Sequence, residues 1–265
     1  MTFEVGKSFF SFLCRFFFRF KRTSPLEFKK KKTFQDAIST LKRAARRAWA
    51  VPASDTLAAI LVVEKAKLIA DGDTAWLEEI AGGPQVSCYV FLFSGFRVSS
   101  RYSTKHLKKK LTKKQGRRWR LMFTSGTDQV RKAVAGGKAG GTYIPITAVQ
   151  RWRLSDKLIE NGIYLGALGA FVFSGTWEAK GKRLSFDFYS VRLRLGPWSK
   201  DFAMKGKKAE EEAKSGGAKK SLGPFFLFAY ADDDICVARG RGGGVALWAR
   251  AAGDWQVKAG IDDFA

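Results

Sequence analysis

The sequence is poor in the residues that most catalytic and metal sites use. Its 265 residues include one histidine, His106, and three cysteines, Cys14, Cys88 and Cys236, with no Cys-x-x-Cys pair. This scarcity argues against a zinc site and against a disulfide framework, and it fits a reducing compartment. A nucleophile would have to recruit His106 from a basic segment. We therefore predict that the protein is not an enzyme and holds no metal and no cofactor.

Long apolar runs and phosphate-binding motifs are also missing. The nearest candidate for a membrane helix, residues 9–20 (FFSFLCRFFFRF), is short and is interrupted by Arg15 and Arg19. The glycine-rich stretches at 136–141 and 240–244 lack the GxxxxGK[ST] pattern and a strand-to-helix context. The sequence therefore predicts neither a transmembrane helix nor a loop that cradles phosphate.

Basic residues are abundant but unevenly distributed. The formal net charge is +24, yet residues 1–32 carry nine Lys or Arg and residues 97–120 carry eleven. Outside these two segments the chain has 28 basic and 22 acidic residues. Basic segments suit nucleic acids, anionic membranes and acidic proteins about equally. Because the remainder is nearly balanced, nucleic-acid binding is retained only as an alternative.

Apolar periodicity predicts a helical leader at residues 34–84. Apolar residues recur every three or four positions in 34–49, and further helices are expected at 55–71 and 74–81. Residues 1–33, which are basic and aromatic, precede this leader. We interpret them as a disordered N-terminal tail, with a targeting peptide and a membrane-surface anchor as the alternatives. Residues 253–265 are expected to form a C-terminal tail.

Alternating apolar residues predict a β-domain at residues 116–252. Trp119, Leu121 and Phe123 share one face of the first strand. Further strands are expected at 144–155, 157–167, 170–180, 183–195, 225–231, 234–240 and 244–250. About eight strands joined mostly by short turns predict an antiparallel β-barrel, closed or nearly closed, preceded by two or three helices.

The strand at 183–195 changes its inward face halfway along. Its apolar residues are even-numbered before position 189 and odd-numbered after it. Because side chains alternate along a regular strand, this switch predicts a bulge near Tyr189-Ser190.

Aromatic and aliphatic side chains of the predicted barrel interior are the candidate ligand contacts. They are Trp119, Leu121, Phe123, Phe171, Phe173, Trp177, Phe186, Phe188 and Leu193. At least half of the aromatic ones must form ordinary core. Any remainder near a barrel mouth can line a pocket for an apolar ligand.

The stretch YADDDICVARGRGGGVALWAR (230–250) combines three aspartates with a glycine-rich run. Adjacent carboxylates on an extended chain point to opposite sides, which disfavours a metal cage. RNA-binding Arg-Gly tags usually repeat, whereas this one occurs once between two strand-like segments. We therefore interpret Asp232–Asp234 as a bend between strands and RGRGGG as a hairpin turn.

Three segments together resemble the plastid lipid-associated proteins, also called fibrillins or plastoglobulins. They are WRLMFTSG (119–126), FDFYSVRLRLGP (186–197) and the 230–250 stretch, and they follow the family's order over residues 116–250. The matching motif positions are Trp119, Arg120, Tyr230, Asp232, Asp233, Asp234, Arg239 and Gly240. Cys236 departs from the family pattern, which often has arginine there, and Ala231 replaces a larger aliphatic residue.

This resemblance implies a lipocalin-like barrel that binds lipids or prenyl-type hydrophobic molecules. It implies a plastid location, at chloroplast plastoglobules or the stromal side of thylakoids. The implied partners are a hydrophobic small molecule, a membrane or plastoglobule surface, and thylakoid proteins. The first alternative is a structural or assembly protein of thylakoid complexes with a solid barrel and no ligand. The second is a nucleic-acid binder that uses the basic segments.

The segment 85–115 has no counterpart in the family. Removal of Val86–Gln115 would join the leader to the Trp-Arg-Leu strand at the family's spacing. The hypothesis is that this segment is an insertion or a translated retained intron.

Overall fold

A computed structural model of the protein describes residues 25–70, 73–82, 116–204, 223–259 and 261. The described residues form five α-helices and ten strands, in this chain order: α1 (Pro25–Arg46), α2 (Ala53–Ala66), α3 (Ala75–Ala81), β1 (Arg117–Ser125), α4 (Thr127–Val134), β2 (Thr142–Tyr143), β3 (Thr147–Arg153), β4 (Leu158–Tyr164), β5 (Gly169–Lys180), β6 (Arg183–Leu195), β7 (Trp198–Ala203), β8 (Phe225–Ala231), β9 (Ile235–Gly240), β10 (Val245–Arg250) and α5 (Gly253–Lys258). Within these ranges no helix combines the length and the apolar character needed to cross a membrane.

Eight of the strands pair in a closed ring, and every pairing is antiparallel. The order around the ring is β1-β3-β4-β5-β6-β8-β9-β10, and β10 pairs back onto β1. Strand β2 adds to the end of β1, and β7 pairs only with the C-terminal half of β6. The prediction of a mainly antiparallel sheet with a few helices is confirmed.

One apolar cluster in the interior of the ring draws on all eight ring strands. Its buried strand residues are Trp119, Trp152, Ile159, Trp177, Leu184, Phe228, Cys236, Ala238 and Trp248. Burial of this many large side chains supplies the main hydrophobic stabilisation of the ring.

Helix α3 spans the ring at one end, which we call the closed end. It contacts β3 and β8, which lie on opposite sides of the ring. Trp76 of α3 stacks on Phe228 at 4.7 Å, and Trp119 Nε1 donates a hydrogen bond to the Ile80 carbonyl at 2.8 Å. The short helix predicted at 74–81 is thus part of the interior and not of a separate leader.

Two further clusters cover the outer face of the ring. Helices α1 and α2 pack on alternate residues of β1, β9 and β10, such as Val237 and Leu247. Helix α5 packs on the outer face of β3, β4 and β5, where Trp255 and the fully buried Ile261 share one apolar cluster with Val149. Residues 253–261 therefore form packed structure, where the sequence predicted a tail.

The segment boundaries also differ from the prediction at the N-terminal side. Helix α1 begins at Pro25, within the stretch assigned to the tail, and α4, β2 and β7 were not expected. The segment 85–115, which contains the single histidine His106, lies outside the described residues.

Candidate functional site

The inward face of β1 ends at a bulge. Trp119 and Leu121 belong to the interior cluster. The register with β10 shifts between Leu121 and Phe123, so Met122 is the extra residue. Met122 and Phe123 both pack in the outer cluster with α1 and α2. The prediction that Phe123 lines the interior is wrong, because simple alternation assumes a regular strand.

The bulge predicted in β6 is confirmed. Ser174 of β5 pairs with Ser190, but Gly175 pairs with Phe188, so Tyr189 is the extra residue. This bulge places the apolar side chains of both halves of β6 on the same side of the sheet. Its C-terminal half therefore continues the inward apolar face that its N-terminal half begins.

The inward side chains divide into a filled half and an open half. In the filled half four tryptophans, Trp119, Trp152, Trp177 and Trp248, are at most 2% exposed. The open half is formed by the C-terminal part of β4, the N-terminal part of β5 and the C-terminal part of β6. Its apolar side chains remain partly accessible: Ile163, Phe171, Phe173, Phe188, Val191 and Leu193. Ile163 and Phe171 are each 37% exposed.

A continuous row of aromatic rings joins the open half to the filled half. The row runs from Phe171 through Phe173, Phe188, Phe186 and Phe226 to Trp248, and successive ring centroids lie 4.9, 5.6, 5.4, 5.0 and 5.4 Å apart. Rings at these separations contact edge to face or in offset stacks. The open half therefore has a preformed aromatic wall anchored in the core.

Three polar groups interrupt this apolar interior. Gln150 and Asn161 are register partners on β3 and β4, and they follow the inward parity of Trp152 and Ile159. Gln150 is 4% exposed, whereas Asn161 is exposed. The Trp152 Nε1 group is buried without a hydrogen-bond partner among the described residues. A ligand pocket typically has such a small set of polar groups in an apolar lining.

Eight of the nine predicted interior residues lie on the inward face. Trp119, Leu121, Trp177 and Phe186 contribute to the interior cluster, Phe171, Phe173 and Leu193 lie in the open half, and Phe188 belongs to both. The sequence analysis missed Ile163, Val191, Gln150 and Asn161. The alternation of residues along β3, β4 and β6 could have placed these four side chains on the inward face. Their position in or beside the open half follows only from the pairing of the strands into the ring.

The three aspartates form the turn between β8 and β9, as predicted. Asp232 Oδ1 accepts hydrogen bonds from the Asp234 and Ile235 amides at 2.8 Å each. Asp232 Oδ2 accepts one from the Tyr230 hydroxyl at 2.8 Å and lies 2.8 Å from Lys42 Nζ. Burial alone would raise the pKa of Asp232, but these hydrogen bonds together lower it.

The other two aspartates also have basic partners. Asp234 Oδ2 lies 2.9 Å from Lys42 Nζ, and Asp233 Oδ1 lies 3.2 Å from Arg117 and 3.1 Å from Arg250. The hydrogen bonds that Lys42 donates to both carboxylates raise its pKa. Across the described residues there is no group of three His, Cys, Asp or Glu side chains that could hold a metal ion.

The remaining motif residues join helices to the sheet. Arg239 makes a bidentate ion pair with Glu64 of α2 at 2.9 and 2.6 Å, and it also donates to the Gly243 carbonyl. Gly240 ends β9, and residues 241–244 form the predicted hairpin turn before β10. Arg120 stacks over Trp255 of α5 at 4.9 Å. The motif thus stabilises the helix-to-sheet packing and stays out of the open half.

A concave surface lies outside the ring along α1. This groove has a volume of about 650 Å³ and is lined by Gln35, Ile38, Ser39, Lys42, Arg43, Arg46, Arg47 and Ala50. We call it the α1 groove. Four of its eight lining residues are basic, but the Lys42 charge is already engaged by Asp232 and Asp234.

Comparison with known proteins adds no assignment. No family model matches the chain, and no curated protein matches it significantly. The crystal structure of an uncharacterised protein from Bacteroides eggerthii is similar over 50% of this chain and 96% of that chain, with 14% identity and a TM-score of 0.29. A likeness at this level carries no argument about fold or function.

Proposed function

We propose that the protein is a lipid-binding protein whose ring acts as a lipocalin-like barrel for a lipid or prenyl-type molecule. The observation that carries the proposal is the open half, where a row of partly exposed aromatic rings faces inward. Burial of apolar surface contributes roughly 25 cal/mol per Å², so a lipid chain laid along this wall would be stabilised mainly by the hydrophobic effect.

The filled half limits what the ligand can be. Four tryptophans and α3 occupy the closed end. A bound chain would therefore lie in the open half, with part of its length in contact with solvent or a further surface. This arrangement favours a molecule with one apolar arm over one that needs full enclosure.

Polar groups beside the wall would orient such a ligand. Asn161 is the register partner of both Gln150 and Phe173. An amide there can donate to a carbonyl or hydroxyl oxygen and accept from a hydroxyl. We therefore infer a ligand with an oxygen-bearing group close to its apolar arm.

The resemblance to plastid lipid-associated proteins supports a plastid setting for this activity, at plastoglobules or thylakoid membranes. The second candidate function is that of a structural protein of thylakoid complexes. The solid packing of the filled half favours it, since a barrel without a ligand needs no cavity.

The test is binding of a fluorescent fatty-acid probe to the full chain, together with native mass spectrometry for a co-purified lipid. Phe171→Ser should weaken probe binding about fivefold or more, because it removes a ring from the wall. The matched control is Leu68→Ser in the α2–α3 connection, whose side chain is 46% exposed and lies outside the wall.

Saturable probe binding that Phe171→Ser weakens and Leu68→Ser leaves unchanged would support the proposal. If the wild-type chain binds no probe and carries no lipid, the ligand-binding proposal is wrong and the structural function is favoured.

A further inference from the structure

Two neighbouring turns beside the open half expose large apolar side chains. The β4–β5 turn carries Leu165 and Leu168, and the β6–β7 turn is flanked by Leu195 and Trp198. These four side chains are 55%, 77%, 59% and 80% exposed. We call them the apolar tip.

The two turns form one surface because hydrogen bonds join them. The Gly196 amide donates to the Leu168 carbonyl at 3.2 Å. Arg194 Nη2 donates to the Gly166 carbonyl at 3.4 Å. Leu195 is the register partner of both Gly169 and Trp198. The four side chains are therefore held at one place on the fold.

Contiguous apolar side chains of this size seldom face water in a soluble monomer unless they contact a partner. The tip consists of the ends of two hairpins whose side chains are mostly accessible, which differs from a groove shaped to hold a peptide helix or strand. Trp and Leu at the ends of hairpins suit the interfacial region of a lipid layer, where an aromatic ring can meet both headgroups and acyl chains.

The charge next to the tip selects the kind of lipid. Residues 192–202 include Arg192, Arg194 and Lys200 against the single acid Asp201. Asp201 pairs with Arg192 at 2.7 Å. Lys200 Nζ lies 5.3 Å from the centre of the ring of Phe202, whose side chain is exposed. Arg194 and Lys200 therefore give the strands beside the tip a net positive charge, which complements anionic headgroups.

The charges at the closed end are arranged differently. There Asp233 lies close to Arg117 and Arg250, and Glu79 pairs with Arg117 at 3.0 Å. Acidic and basic groups thus neutralise each other at the end that α3 fills. The combination of exposed apolar side chains and excess positive charge belongs to the tip beside the open half.

We propose that the apolar tip docks the protein on an anionic phospholipid surface. Leu165, Leu168, Leu195 and Trp198 enter the interface, and Lys200 contacts the phosphates. The inference rests on the proposed function for its purpose: docking places the open half against the lipid layer, so a ligand reaches the aromatic wall without crossing water. The docking itself is a separate property with a separate readout.

The experiment uses the full chain and two kinds of vesicle, one of phosphatidylcholine and one of phosphatidylcholine mixed equally with phosphatidylglycerol. The wild-type protein should partition onto the mixed vesicles. Leu168→Ser/Trp198→Ser should reduce the partition coefficient about tenfold. Lys200→Ala should reduce the difference between the partition coefficients for the two kinds of vesicle. Leu68→Ser is the matched control and should behave as the wild type.

A second measurement reports insertion independently of the basic N-terminal segment. Brominated lipids quench tryptophan fluorescence by contact, so they should quench the wild-type protein. Trp198→Phe keeps an apolar ring at the tip but removes the reporter. It should retain the partition coefficient and lose the Trp198 share of the quenching.

The outcomes separate the two proposals. We call Leu168→Ser/Trp198→Ser the tip variant. If the tip variant loses vesicle binding but still binds the fatty-acid probe, docking is supported whether or not a natural ligand is found. If Phe171→Ser loses the probe and keeps vesicle binding, the ligand site is independent of docking. Loss of vesicle binding in Phe171→Ser together with retention in the tip variant contradicts the docking proposal.

Other occupants of the tip would give different results. If Arg43→Ala/Arg47→Ala abolishes vesicle binding and the tip variant does not, the α1 groove is the docking surface and the tip is not. If the wild-type chain is a dimer in light scattering and the tip variant is a monomer, a second copy covers the tip. Quenching that is unchanged in Trp198→Phe would likewise overturn the proposal.

Discussion

The ammonium group of Lys42 in α1 lies 2.8 Å from the carboxylate of Asp232 in the β8–β9 turn. Their side chains are 29% and 23% exposed, so water screens the pair less than a surface ion pair. The same carboxylate closes the turn through two backbone amides. One aspartate therefore both shapes a turn and attaches the first helix to the ring.

Loss of the Lys42 side chain should loosen α1. Lys42→Ala removes the charged partner of both Asp232 and Asp234, and we expect the free energy of unfolding to fall by about 1–2 kcal/mol. Urea denaturation followed by circular dichroism measures this change. Arg43→Ala is the control on the same helix, since Arg43 is exposed. Equal stability of Lys42→Ala and the wild type would show that the pair contributes nothing.

Acid should weaken the fold partly through Asp232. The folded protein lowers the pKa of this carboxyl, so its contribution to stability is present above the unfolded pKa of about 4 and is lost as the pH falls through the folded value. The Asp232→Asn variant should be less stable at neutral pH and should show a shallower loss of stability below pH 4. The control is Asp128→Asn, whose side chain is 89% exposed. A wild-type acid slope in Asp232→Asn would contradict this assignment.

Alkali should act on the same cluster through Tyr230. Burial, followed by the hydrogen bond to Asp232, raises the pKa of Tyr230 to about 12. Because the pKa is raised, the contribution of Tyr230 to the stability of the fold is complete below the unfolded pKa of about 10. It is lost as the pH rises through the pKa of the folded protein. Ultraviolet titration of the phenolate should show one late-ionising tyrosine fewer in Tyr230→Phe. If the late-titrating signal is unchanged, it belongs to another tyrosine.

Removal of the helix side chain that fills the closed end should open the ring. Trp76 is 3% exposed and stacks on Phe228. Trp76→Ala should lower the free energy of unfolding by about 3–5 kcal/mol through the cavity it leaves. If the variant stays folded, it should bind longer apolar probes than the wild type. Leu77 on the same helix has a half-buried side chain. Leu77→Ala should lower the free energy of unfolding by about 1 kcal/mol and should not change the length of the probes that bind.

Features with a local cause could be predicted from the sequence. Strand positions followed from alternation, and the bulge at Tyr189 followed from a switch of parity inside one strand. The Asp232–Asp234 turn followed from residues that favour bends. Each of these depends on a few neighbouring residues, and the structure confirms each of them.

Features set by contacts between distant segments could not be predicted. The bulge at Met122 turns Phe123 outward only because β1 must match the register of β10. In the sequence Trp76 is an ordinary apolar residue of a short helix, and its place in the interior cluster depends on the closed ring. Strand β7 follows Gly196-Pro197 and is exposed along its whole length, so no buried face marked it as a strand.

The C-terminal end of α3 lies beside the first residue of β1. Arg117 Nη1 donates to the Glu79 carbonyl at 2.8 Å, and a Cβ on Gly82 would lie 3.6 Å from the Arg117 backbone nitrogen. The two ends of the described structure therefore lie close together at this point, with 33 residues between Gly82 and Gly116 in the sequence. Doubling the length of a flexible loop costs only about 0.6 kcal/mol in closure entropy. Because Gly82 and Arg117 lie so close together, the described fold is compatible with a short connection or a long one at this position.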